Sequence, residues 1–247
     1  MLPKYNMKRT CNNLRTSGLT LVEVLTVVAI IAILVSILVP VLAKQKIKAK
    51  AKLAKLDCSS IAQAITQYNM DNIGRFPSAR GEQANTKGGD ITFSMHDNGP
   101  TGAVPHNGDL MIILSAIESL GGNNVNAGHA RNSKKFNYLQ SKLTSSKEKP
   151  GMGPDGIYRD PFGNPYVVTV DKSGDGKCYD FFYGDGAVSG TGGQIGANGL
   201  MKETLPNGIS GYILTAKAMV WSAGPDREVS PGQGALEGKN YDNIIGW

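Results

Sequence analysis

Residues 24–43 read VLTVVAIIAILVSILVPVLA, an apolar run broken only by Thr26, Ser36 and Pro40. A helix needs about 20 apolar residues to span the hydrocarbon core of a bilayer. The apolar region of a secretory signal peptide is shorter and ends at a small-residue cleavage site. No such site follows Ala43; the chain continues into a lysine-rich stretch. The run is therefore expected to stay in the membrane as a helix. Lys4, Lys8, Arg9 and Arg15 before it favour a cytoplasmic N-terminus. Lys44, Lys46, Lys48, Lys50, Lys52 and Lys55 after it pull the other way, so charge alone leaves the orientation open.

The whole chain, 247 residues with 40% hydrophobic and 19% charged side chains, averages over a steep gradient. Contiguous hydrophobicity ends at Ala43, and glycine is concentrated after Gly74. The formal charge of +6 comes from the two basic blocks flanking the run, and without them the remainder is net acidic. That distribution is no footprint for nucleic acid, and no nucleic-acid partner is expected. Three cysteines are too few for a disulfide scaffold. Cys58 and Cys178 either pair in an oxidising compartment or serve as two buried small hydrophobes, and the second reading is favoured.

Glu23 stands at the head of the apolar run, where a carboxylate in the bilayer centre costs about 2.5–3.5 kcal/mol. Such a residue has a partner and a role, or sits among the headgroups. Beyond the run, Ile47, Ala51, Ala54, Cys58, Ile61, Ile65 and Tyr68 step by four and three, one face of a continuing helix. Asn72, Ile73 and Gly74, with Pro77 just after, predict its end.

After residue 74 the chain is rich in turn signals. Helices are predicted over 109–120, closing on Gly121 and Gly122, and over 133–145. Strands are predicted at 166–170 with a partner at 177–183, and at 212–215 and 218–222. Between the first pair, residues 171–176 (DKSGDG) form a turn by composition that also has the spacing of half a calcium loop. Phe182 stands where such a loop ends on a bidentate Glu, so the turn is favoured. Residues 184–199 are a glycine-rich excursion, a loop or a weakly paired hairpin. The fold class is α+β, a long N-terminal helix packed on a small antiparallel sheet.

Ser17-Gly18-Leu19-Thr20-Leu21-Val22-Glu23-Val24-Leu25 resembles the prepilin processing motif of type IV pilins and type II secretion pseudopilins. The resemblance implies cleavage between Gly18 and Leu19 by a prepilin peptidase, with methylation of the new amine. It makes Glu23 the fifth mature residue, paired with a neighbouring subunit's amine, and Pro40 the twenty-second, a helix-kinking proline. Leu19 departs from the commoner Phe or Met. The implied organisation is a leader over 1–18, a transmembrane assembly helix over 19–43, its amphipathic continuation over 44–74 and an exported pilin-like head over 75–247.

Residues 160–166 (DPFGNPY) are similar to the DPWGNPY signature of the major pseudopilin, with Phe162 for Trp, and residues 221–226 and 242–244 resemble that family's C-terminal segment. This likeness implies a calcium ion held by Asp226 and Asp242 with Ser222, although Arg227 departs from the pattern. Residues 78–150 match neither motif and read as a family-specific insertion. The implied function is that of a structural subunit of a type II secretion pseudopilus. Its partners are further copies, other pseudopilins and an inner-membrane assembly platform. The chain would be single-pass in the inner membrane, N-terminus cytoplasmic and head periplasmic. A type IV pilus pilin for adhesion, motility or DNA uptake is the alternative, and a non-polymerising anchored binding protein is less favoured. No enzyme is expected: His96, His106 and His129 lack metal-ligand spacing, and Gly238-Lys239-Asn240 lacks the rest of a P-loop.

Overall fold

Helix α1, Leu21–Asp71, carries the apolar run and its amphipathic continuation in one element of 51 residues. The computed structural model describes residues 18, 20–77, 88–93, 106–205, 208 and 210–247. Cys11 and the rest of residues 1–17, together with Leu19, His96 and most of residues 78–105, lie outside the described residues. The chain divides into two units, Met1–Lys46 and Ile47–Trp247.

In the first unit the apolar side chains of α1 are exposed throughout, and the helix is long and apolar enough to cross a membrane. Its few hydroxyls are satisfied within the helix. Thr26 Oγ1 donates to the carbonyls of Val22 and Glu23 at 3.0 Å, and Ser36 Oγ to that of Ile33 at 2.7 Å. A hydrocarbon environment demands such internal pairing. The helix continues through Pro40, which has no N–H to offer the carbonyl one turn back.

In the second unit a four-stranded antiparallel sheet forms the centre. Its strands are β1 (Ile91–Phe93), β4 (Val167–Val170), β7 (Ala218–Ser222) and β8 (Ile244–Ile245), in spatial order β1-β4-β7-β8. Two small antiparallel pairs flank it, β2 (Gly151–Met152) with β3 (Tyr158–Arg159), and β5 (Met201–Thr204) with β6 (Ser210–Ile213). Both faces of the sheet are covered, so β4 and β7 are buried at every position. Val168, Val170 and Val220 share a core with the expected stripe of α1, here Ala54, Cys58, Ile61, Ile65 and Tyr68. Val167, Met219 and Trp221 point the other way, into a second core with Cys178, Tyr183, Val188, Leu200 and Tyr212. Cys58 and Cys178 therefore belong to cores on opposite faces of the sheet. Both are free and buried, and burial pushes both thiols up in pKa.

Residues 78–150 do more than interrupt the head. They supply β1 and helix α2 (Gly108–Leu114), whose Leu110, Met111, Ile113 and Leu114 enter the first core. Asn107, fully buried just before α2, donates to the carbonyls of Tyr158 and Tyr166 at 3.0 and 2.8 Å and accepts from the Tyr158 N–H.

Several expectations are corrected. The helix predicted over 109–120 ends at Leu114. Ala116 takes the left-handed position (φ 53°), and the N–H groups of Ile117 and Ala116 bond back to Ile112 and Ile113. That is the Schellman closure expected on Gly121. No helix forms over 133–145, because Lys135 is left-handed and Asn132 donates its amide to the carbonyls of Ile113 and Phe136. Residues 177–183 are not the partner of β4; β1 and β7 are. The glycine-rich 184–199 segment contains the short helix α3 (Gly186–Ser189), N-capped by Asp185. Helix α1 ends where predicted, but Ile73 at φ 56°, rather than Gly74 alone, makes the left-handed turn.

Candidate functional site

At the start of α1 the chain closes on itself. The Thr20 N–H and Oγ1 both donate to Glu23 Oε2 at 2.8 Å, and the Glu23 N–H donates to Thr20 Oγ1 at 3.3 Å. This reciprocal pairing is a capping box, and it occupies helix donors that would otherwise be orphaned. The T-x-x-E spacing of residues 20–23 carries the signal in the sequence, and Thr20 is the functional neighbour missed there. All the side-chain bonds of Glu23 go to Oε2, so Oε1 accepts none among the described residues. Gly18 lies exposed outside the helix, with open space where a Cβ would be; Leu19 is outside the described residues.

The 160–166 loop is built around a buried carboxylate. Asp160 Oδ1 accepts the N–H groups of Phe162 and Asn164 at 2.8 and 2.7 Å, and Oδ2 accepts the Asn164 amide at 3.0 Å and the Ser222 hydroxyl. Asn164 donates further to the Gly224 carbonyl at 2.7 Å. Gly163 takes φ 96°, a turn that a side chain would strain. These bonds tie the loop to the end of β7.

Asp226 and Asp242, sixteen positions apart, are brought together: the Asp226 N–H donates to Asp242 Oδ2 at 3.2 Å. Asp242 Oδ1 is buried without a hydrogen-bond partner among the described residues, as is Oδ1 of the adjacent Asn243. Burial raises the Asp242 carboxyl above its ordinary pKa, and the charge of Asp226 adds to the effect. Two like charges with an orphaned buried oxygen suit a hard cation with oxygen ligands. The Ser222 hydroxyl does not turn to them, because it donates to Asp160. Arg227 turns its guanidinium to the Phe162 carbonyl. Among the described residues, no group of three or more His, Cys, Asp and Glu is placed to hold a metal, so any ion here would draw on backbone or solvent oxygen.

The other candidate loop is closed to a cation. Asp171 Oδ1 accepts from the N–H of Gly174 and the hydroxyl of Ser173, and Oδ2 from the N–H of Gly176 and the Lys217 ammonium at 3.0 Å. The carboxylate is saturated with donors, which makes 171–176 a turn. Comparison with protein-family models, curated proteins and solved structures finds no match to this chain.

Proposed function

We propose that the chain is a prepilin-type structural subunit of a type II secretion pseudopilus. A membrane peptidase cleaves it after Gly18, and it assembles with further copies and other pseudopilins on an inner-membrane platform. The observation that carries this reading is the exposed apolar run of α1. Glu23, held at its start with one oxygen unpartnered among the described residues, is the single ionisable side chain between Leu21 and Ala43. A lone carboxylate there is costly, and a neighbour's α-amine beside it offsets the cost. The amphipathic part of α1, buried against an antiparallel sheet, supports a pilin-like head carried on the assembly helix. The reading places that head in the periplasm with the N-terminus cytoplasmic. Asp226 and Asp242 would hold a calcium ion that ties the C-terminal segment to the head. Mass spectrometry of assembled material tests the reading: the expected N-terminus is a methylated Leu19, and an intact Met1 overturns it.

A further inference from the structure

Lys48, Lys52 and Lys55 stand on one face of α1. At about 100° per residue they fall within roughly a 60° arc, and that arc lies roughly 120° from the buried stripe of Ala54, Cys58, Ile61 and Ile65. All three are exposed, and none of their ammonium groups forms an ion pair or hydrogen bond with a described residue. Lys50 differs: its ammonium lies 5.3 Å from the centroid of the Phe162 ring. No acid occurs between Val24 and Leu56. The first one after the stripe, Asp57, is bonded to the Tyr166 hydroxyl. Like charges one helical turn apart repel, so the stripe carries a cost that no described residue relieves.

The position of the stripe in the sequence says what relieves it. Lys48 follows the end of the apolar run by five residues and Lys55 by twelve. At 1.5 Å per helical residue the intervening chain keeps their backbones within about 18 Å of the run's end. Helical side chains tilt toward the N-terminus, and lysine stems extend along apolar surface to bring their ammonium groups to the nearest polar layer. The stripe thus leans back toward the level where the apolar run would leave a bilayer. Clusters of lysines beside a membrane helix attract anionic headgroups within about a Debye length.

We infer that Lys48, Lys52 and Lys55 form a binding surface for the phosphate groups of an anionic bilayer, on the side where the apolar run emerges. The inference rests on the membrane-anchored reading above. A row on one helix face, continuous with an apolar run, fits a planar array of phosphates. A nucleic acid would need the positive face to extend over the rest of the chain, which is net acidic.

The test is amine acylation of the full chain in vesicles, read residue by residue by mass spectrometry, with exposed Lys202 as internal reference. The vesicles are phosphatidylcholine alone or phosphatidylcholine with phosphatidylglycerol. Acylation at the three stripe lysines should fall several-fold in the anionic vesicles relative to Lys202. It should recover at about 1 M salt, where the Debye length is about 3 Å. Equal rates in the two vesicles overturn the inference and leave the anchored reading standing. Protection by inorganic phosphate over phosphatidylcholine alone overturns it in favour of a soluble anion. Protection that follows the density of the chain in the bilayer, whatever the lipid, assigns the stripe to a second copy and also overturns it. A chain that floats with neither vesicle overturns the anchored reading and this inference together.

Discussion

The Tyr166 hydroxyl donates to Asp57 Oδ2 across 2.8 Å, joining the 160–166 loop to the helix that carries the apolar run. Asp57 is half-buried, and burial pushes its carboxyl up in pKa while the tyrosine hydroxyl draws it down. Tyr166→Phe removes the donor and leaves the carboxylate to be desolvated alone. In the unit of residues 47–247 the loss should be about 1–2 kcal/mol, toward the lower end for bonds to charged groups because Asp57 keeps some solvent. The folded-state pKa of Asp57 should rise further in the variant. The deficit in urea unfolding should then be largest near neutral pH and shrink as pH falls through the carboxylate range.

Asp90 sets a second pH dependence. It is buried beside β1, accepting from the N–H groups of Tyr179 at 2.8 Å and Ser173 at 3.3 Å. Burial pushes its carboxyl from 3.8 up to about 6, the two donors opposing the shift. The folded state therefore binds the proton more tightly than the unfolded one. Stability from this group is present at low pH and is lost as pH rises from about 4 to about 6. Asp57 and Asp242, also raised, act in the same direction. Asp90→Asn keeps an acceptor for Tyr179 and has no charge to desolvate. Urea midpoints measured across this range should fall less steeply in the variant than in the parent.

What the sequence allowed and withheld follows from how local each cause is. The buried stripe of α1 and strands β4 and β7 were readable, because a 3.6-residue period and short apolar runs depend on nearby residues alone. The end of α2 was not, because Ala116 adopts a conformation usually reserved for glycine, held by bonds to Ile112 and Ile113. The strand expected at 177–183 fails for a similar reason. The Asp180 carboxylate accepts the N–H groups of Phe182 and Tyr183 that a sheet would have used. At the sites, Glu23 announces itself as a charge beside an apolar run. The partner of the Ser222 hydroxyl was not readable, because Asp160, which accepts it, lies 62 positions away.

Glu23 has two roles to separate, since the carboxylate caps its own helix and is proposed to meet a neighbour's amine. Glu23→Gln retains the capping-box partner type at that position and removes the charge. Glu23→Ala removes both. Membrane insertion should be intact in each, because an ionisable group has left the apolar segment. Incorporation into filaments, followed by shearing and immunoblotting, should fall in both variants to a similar extent if charge pairing governs assembly. Normal assembly by Glu23→Gln with a defect in Glu23→Ala would assign Glu23 to helix capping alone.

Calcium is expected to act at Asp226 and Asp242. Without a cation, the charge of Asp226 adds to the cost of ionising Asp242, and Asp242 Oδ1 has no partner among the described residues. An ion that binds only the folded state stabilises it by about 2.7 kcal/mol at a hundredfold excess over the dissociation constant. The melting temperature of the 47–247 unit should rise with calcium and fall with chelator. Binding requires ionised carboxylates, so the rise should shrink as pH falls through the range in which the raised Asp242 protonates. Asp226→Ala should erase the response. Ser222→Ala should lower stability with and without calcium, since it strips a donor from the buried Asp160, yet leave the response in place. Asp175→Ala should also leave it in place, because Asp175 accepts the Lys177 N–H at 2.9 Å in a turn whose other carboxylate, Asp171, is already neutralised by Lys217. Identical melting with calcium and with chelator would exclude the site. A response abolished by Asp175→Ala and kept by Asp226→Ala would move the ion to the 171–176 turn.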